Sequence, residues 1–191
     1  RKLWMVWQSP KLYAPGDADL DLFSSVFGSG KDSRLHKRLV REKKIAKSVV
    51  AYQMSGYLSS QYTIQATARG DHTTEELVTE IEAVIAELLG EVDSTCAACK
   101  AGCACPPTAE EFAAAKSNYE LNFYEAQQSS RGKGETLQNY NMYHGDPDYI
   151  MTDLERYLNA TEASVIDAAK KVLTQPRLEL HYLPSRDKGG E

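Results

Sequence analysis

Two β-rich runs lie six residues apart, and their closeness limits how the chain can fold. Residues 45–54 read Ile-Ala-Lys-Ser-Val-Val-Ala-Tyr-Gln-Met, and residues 61–69 alternate Tyr62, Ile64 and Ala66 against Thr63, Gln65 and Thr67. The link Ser55-Gly56-Tyr57-Leu58-Ser59-Ser60 has the length of a hairpin loop. A parallel pairing would need a crossover of about a dozen residues or more. The two runs are therefore expected to pair antiparallel.

The flanking segments supply what such a hairpin packs against. Residues 2–8 alternate like a strand, and Ser9-Pro10 stops it. Pro15-Gly16-Asp17 opens a helix with Leu20, Phe23, Val26 and Phe27 at helical spacing, closed by Gly28-Ser29-Gly30. Asp32-Ser33 caps a second helix with Leu35, Leu39 and Val40 on its inner face. After the hairpin, Thr73-Thr74-Glu75-Glu76 starts an amphipathic helix whose stripe is Leu77, Ile81, Val84, Ile85 and Leu88.

Thr108-Ala109-Glu110-Glu111 is a capping-box pattern that begins a long helix. Arg131-Gly132-Lys133-Gly134 is expected to interrupt it before helix resumes through Tyr143. Asp146-Pro147 opens another helix with proline in its first turn. Thr161-Glu162-Ala163-Ser164 opens the last, which carries Val165, Ala168, Ala169, Val172 and Leu173. Residues 177–183 close the chain as a strand. The order is strand, two short helices, hairpin, four helices, strand. That segregation predicts an α+β fold: a mostly antiparallel sheet with helices packed on one face, the first and last strands joining the hairpin's sheet.

A chain of 191 residues suits one domain with a substantial core. We expect that domain over residues 1–184, with a Cys-rich loop insertion at 93–107 and a tail at 185–191. Both ends read as boundaries of a piece cut from a larger protein. The net charge of −5 argues against nucleic acid, which needs a basic face. No apolar run approaches the length of a membrane span.

No complete catalytic pattern emerges. Gly28-Ser29-Gly30-Lys31-Asp32-Ser33 fails as a phosphate loop, because Asp32 stands where Ser or Thr is needed and no strand precedes it. His36, His72, His144 and His181 have no second ligand at metal-site spacing on one helix. No Gly-x-Ser-x-Gly elbow occurs. The carboxylates read as scattered over solvated helix faces.

The four cysteines are concentrated in Cys96-Ala97-Ala98-Cys99-Lys100-Ala101-Gly102-Cys103-Ala104-Cys105. Four thiolates at Cys96, Cys99, Cys103 and Cys105 suit zinc or a cluster, though the spacing is tighter than paired CxxC motifs. The same residues suit a loop stapled by two disulfides if the parent is exported, in any of three connectivities. The second reading is preferred, on the compartment argument. A third possibility makes the loop a small metal or redox site with a function of its own.

Several local strings carry a family resemblance over nearly the whole chain. They begin with Trp7-Gln8-Ser9-Pro10 and Gly16-Asp17-Ala18-Asp19-Leu20-Asp21-Leu22. The most specific is Gly30-Lys31-Asp32-Ser33-Arg34-Leu35, leading into the basic run that ends Arg41-Glu42. Ile45-Ala46-Lys47-Ser48-Val49, Thr108-Ala109-Glu110-Glu111-Phe112 and Asn139-Tyr140-Asn141-Met142-Tyr143-His144-Gly145-Asp146-Pro147-Asp148-Tyr149 follow. Together these resemble the C-terminal peptidase-like domain of pitrilysin/insulinase-type zinc metalloproteases, in their bacterial, exported branch.

The resemblance implies a non-zinc-binding half of a zinc endopeptidase. Its partner would be an N-terminal half, in the same parent or a partner subunit, whose His-x-x-Glu-His helix holds zinc. This half would hold no cofactor and no catalytic residue. It would close the substrate chamber and contact bound peptide, in the periplasm or outside the cell. Arg41 stands where the family has a substrate-contacting arginine. The family's companion tyrosine falls near Lys47, in a stretch one residue shorter and without tyrosine. Arg41 and Lys47 are thus the candidate substrate-binding residues. The missing tyrosine supports an alternative: a non-catalytic scaffold or binding domain of the same fold.

Overall fold

The sheet has four strands in the order β2-β3-β1-β4, and every neighbouring pair is antiparallel. The computed structural model describes residues 1–90 and 107–184. Its elements are β1 (Lys2–Ser9), α1 (Asp17–Phe27), a π-helix (His36–Glu42), β2 (Ala46–Met54), β3 (Ser60–Ala68), α2 (Thr74–Leu89), α3 (Ala109–Ala126), α4 (Ser130–Tyr143), α5 (Ile150–Leu158), α6 (Glu162–Leu173) and β4 (Leu178–Tyr182). The α+β class, the antiparallel hairpin and the shared sheet of first and last strands are all as expected.

Strand alternation decides which face is covered. Leu3, Met5 and Trp7 of β1, Tyr62, Ile64 and Ala66 of β3, and Val49 and Ala51 of β2 are buried. They meet Leu20, Phe23 and Phe27 of α1, Leu77, Ile81 and Val84 of α2, and Val165, Ala169 and Val172 of α6. Trimming one such residue, as in Leu3→Ala, would cost about 2–5 kcal/mol. The opposite face stays open. Trp4, Val50, Leu178, Leu180 and Tyr182 are exposed there, with Leu180 paired to Trp4 and Tyr182 to Lys2 across the strands.

Local signals place the helix starts well. Thr73, Thr108 and Thr161 are N-caps, each accepting a hydrogen bond from the backbone three residues on. The Thr108–Glu111 box forms as expected. Its Glu111 also takes a two-pronged bond from Arg34, at 2.7 and 2.6 Å.

Four expectations are corrected. The second short helix is a π-helix, with Lys43 N–H reaching back five residues to Arg38 O at 3.0 Å. Its Leu35 and Leu39 flank is nonetheless buried. The break between α3 and α4 falls at residues 127–129, not at 131–134. Ser129 caps α4 by accepting from Gly132 N–H, and Gly132 lies so close to Ala126 O that a Cβ would meet it at 1.9 Å. Glycine there permits a close approach rather than breaking the helix. α5 begins at Ile150, because Asp146 Oδ1 accepts from Asp148 N–H at 2.9 Å and closes a turn around Pro147 first. Five helices therefore follow the hairpin among the described residues, not four.

The fourth correction concerns carboxylates. Asp17 and Asp153 are buried, at 1% and 6% exposure, rather than solvated. They are buried because Arg156 bridges them: Nη2 lies 3.2 Å from Asp17 Oδ2 and Nη1 2.6 Å from Asp153 Oδ1.

Candidate functional site

Two groups of charged side chains lie at the ends of the sheet strands, and they differ in kind. The first lies where β2 begins and β3 ends. Arg41 is in the last turn of the π-helix, about half exposed, with one long contact to Asp32 at 3.4 Å. Lys47 is exposed at the start of β2. The register passes from Ala46 opposite Ala68 directly to Ser48 opposite Thr67, so Lys47 is the extra residue of a β-bulge. Bulges re-aim side chains, and here on an edge strand.

The connection between these two residues is fixed by backbone bonds. Ile45 N–H donates to Leu39 O at 3.0 Å and Arg69 N–H to Ile45 O at 2.8 Å. Between them Lys44 takes a left-handed conformation, φ 56°. Lys44 and Arg69 line one open cleft of about 510 Å³ together with Gly70, Asp71, His72 and Glu76. Arg41 and Lys47 thus stand on consecutive elements at one end of the sheet. Lys44 and Arg69 escaped the sequence reading: nothing in the residue string shows that Arg69 closes onto Ile45.

The second region lies where β1 ends. Asp17 accepts from Tyr13 N–H (3.0 Å), Gln53 Nε2 (2.6 Å), Ser55 Oγ (2.7 Å) and Arg156. Asp153 accepts from Tyr140 OH at 2.9 Å, and Asp21 from Tyr157 OH at 2.9 Å. Tyr119 stacks on Tyr157 with ring centroids 3.4 Å apart. Burial pushes the Asp21 carboxyl up to about 7, only partly offset by the Tyr157 hydroxyl. Burial works against the Arg156 charge, but Asp153 and Asp17 outweigh it and raise its pKa. Burial also lifts Tyr13, to about 12. This network pins α5 to α1 and the hairpin. Its hydrogen bonds join buried groups to one another, and it reads as structural.

Among the described residues no three His, Cys, Asp or Glu side chains are grouped to hold a metal ion. The described donor set therefore does not fit a catalytic zinc. Cys96, Cys99, Cys103 and Cys105 lie outside the described residues, as do most of the 93–107 insertion and the 185–191 tail. No described helix is long and apolar enough to cross a membrane.

The fold is shared with several solved structures. The inactive peptidase domain of a candidate zinc protease from Bordetella parapertussis superposes with a TM-score of 0.80 at 19% identity, over 98% of this chain and 94% of that one. A protease from Helicobacter pylori gives 0.74 at 19% identity over 91% of this chain. The periplasmic protease PqqL of Escherichia coli gives 0.72 at 17% over 96%. This chain spans only 38% of the Helicobacter protein and 19% of PqqL. A search of curated proteins finds no match. The family model for the peptidase M16 inactive domain matches residues 1–119, and the chain belongs to that family.

Proposed function

We propose that this domain is the non-zinc-binding half of an M16 zinc endopeptidase, closing the substrate chamber and contacting bound peptide. The observation that carries the proposal is the open sheet face. Trp4, Val50, Leu178, Leu180 and Tyr182 are exposed on it, and no described element covers them. Trp4, Leu178, Leu180 and Tyr182 cluster on the β1–β4 side of that face, and exposed apolar side chains grouped in this way mark an interaction surface. Arg41, in the last turn of the π-helix, and Lys47, at the start of β2, are the residues we assign to substrate contact. Zinc, and the group that activates water, would belong to the catalytic half, in the same parent or a partner subunit. The likeness to a periplasmic protease supports a periplasmic or secreted location. In that compartment Cys96, Cys99, Cys103 and Cys105 would pair as disulfides.

The test has two arms. The purified domain alone should carry no stoichiometric zinc and hydrolyse no fluorogenic peptide. Joined to its catalytic half, it should restore chelator-sensitive hydrolysis that the catalytic half lacks when alone. Chelator-sensitive cleavage by the isolated domain would refute the proposal. A parent whose other half lacks His-x-x-Glu-His would instead establish the scaffold role that the absence of tyrosine near Lys47 favours.

A further inference from the structure

Within a chain of net charge −5, residues 31–47 hold eight lysines and arginines against two acidic residues, Asp32 and Glu42. Folding neutralises that run unevenly. Arg34 binds Glu111, Arg38 binds Glu80 and Glu87, and Lys43 binds Glu80. Lys44 and Lys47 remain exposed with no carboxylate partner among the described residues, and Arg69 joins them in the same condition. The inner cations hold the π-helix to α2 and α3. The outer ones hold nothing.

Their placement is nevertheless over-determined. Lys44 is kept at φ 56°, a conformation uncommon for a residue with a side chain. Backbone bonds on both sides, Lys43 N–H to Arg38 O and Ile45 N–H to Leu39 O, leave it no freedom to relax. Arg69 is tied to Ile45 by its own N–H at 2.8 Å. Lys47 is turned out by the bulge. Strain and irregular pairing thus converge on cations with no structural use, a combination that accompanies ligand contacts. Asp71 and Glu76 on the cleft wall offset them only in part, two carboxylates against three cations, and Glu76 is engaged by His72 at 2.7 Å.

We propose that Lys44, Lys47 and Arg69 form a docking site for an acidic segment of an extended peptide. The proposal deepens the peptide-contact reading above and rests on it. Charge complementarity names the ligand class. The site's borders name the rest: the row Ser48–Thr67–Lys2–Tyr182 runs from the bulge across the open face. An acidic residue at the cations would place neighbouring apolar residues toward Tyr182 and Trp4, whose rings lie 6.5 Å apart. Nucleic acid is a poorer fit, because three cations at one sheet end do not make a phosphate track in an acidic protein.

The experiment uses the whole chain and fluorescence anisotropy. The probes are a labelled hexapeptide with three acidic and three apolar residues, its Gln/Asn counterpart, and a short DNA duplex. The acidic peptide should bind about tenfold or more tightly than the neutral one at low salt, and the preference should shrink as salt rises. Lys44→Asn, Lys47→Gln and Arg69→Gln combined should abolish the preference while circular dichroism stays unchanged. Equal binding of both peptides, a preference surviving the triple variant, or tighter binding of DNA would each overturn the acidic site. Equal binding would leave the peptide-contact reading intact. Binding of neither peptide by the folded chain would count against both.

Discussion

Where β1 runs out, the inward carboxylates share donors; where β2 begins, three outward cations have none. Asp17 collects four hydrogen-bonded donors and Asp153 two. Lys44, Lys47 and Arg69 collect no carboxylate among the described residues. The difference follows from burial. A buried charge is costly unless paired, so the fold must satisfy Asp17 and Asp153. An exposed cation costs little unpaired, so the fold does not require those at the other end to be there. The first end therefore reports on stability, and the second on what the surface meets.

The largest test breaks the paired end. Arg156→Met removes the one cation shared by Asp17 and Asp153 and leaves both carboxylates buried. We expect a loss of about 3–5 kcal/mol, as for other broken buried pairs, seen as a lower urea midpoint with an unchanged slope. A loss below about 1 kcal/mol would mean that water reaches these carboxylates and that the two ends do not differ as described.

A second test uses pH at the same end. Asp21 is faced by Tyr157, Tyr119, Asp17, Arg156 and Asp153, and burial raises its carboxyl to about 7. Between about 4, the unfolded value, and about 7 the folded state keeps a proton that the unfolded state has lost. This group's contribution therefore falls as pH rises through that window, by at most about 1.4 kcal/mol per pH unit. Glu80 and Glu111 act oppositely. Burial opposes their charge, yet Lys43 and Arg38 for Glu80, and Arg34 for Glu111, hold them below the ordinary value. Their stabilisation is present above the unfolded value and is lost as acid protonates them. Asp21→Asn stays neutral throughout, so the wild-type minus variant difference isolates the Asp21 slope. A flat difference between pH 4 and 7 would remove the buried-carboxyl assignment.

Legibility in the sequence divides along the same line. The alternation of Leu3, Met5 and Trp7, the stripe Leu77 to Leu88 and the caps at Thr73, Thr108 and Thr161 are local patterns, so they predicted the sheet and the starts of α2, α3 and α6 correctly. The Asp17–Arg156 pair joins residues 139 positions apart, and in sequence Asp17 is indistinguishable from an ordinary first-turn acid. The bulge at Lys47 depends on the partner strand's register, and the closure of Arg69 onto Ile45 depends on the π-helix beside it. Arg41 and Lys47 came forward through resemblance. Their neighbours Lys44 and Arg69 became visible only with the fold.

The smallest expected effect sharpens the unpaired end. Lys47→Gln and Arg69→Gln remove exposed cations without folded partners, so each should change stability by no more than about 0.5 kcal/mol. Lys44→Gly is more informative. Glycine adopts a positive φ freely, whereas lysine there carries strain on the order of 1 kcal/mol. The variant should match or exceed the wild type in thermal midpoint while losing part of the preference for the acidic peptide. If Lys44→Gly instead destabilises the chain by 2 kcal/mol or more, well beyond the effect of an ordinary surface substitution, its side chain supports the fold. The contrast between a satisfied end and a spare one would then fail at its most strained residue.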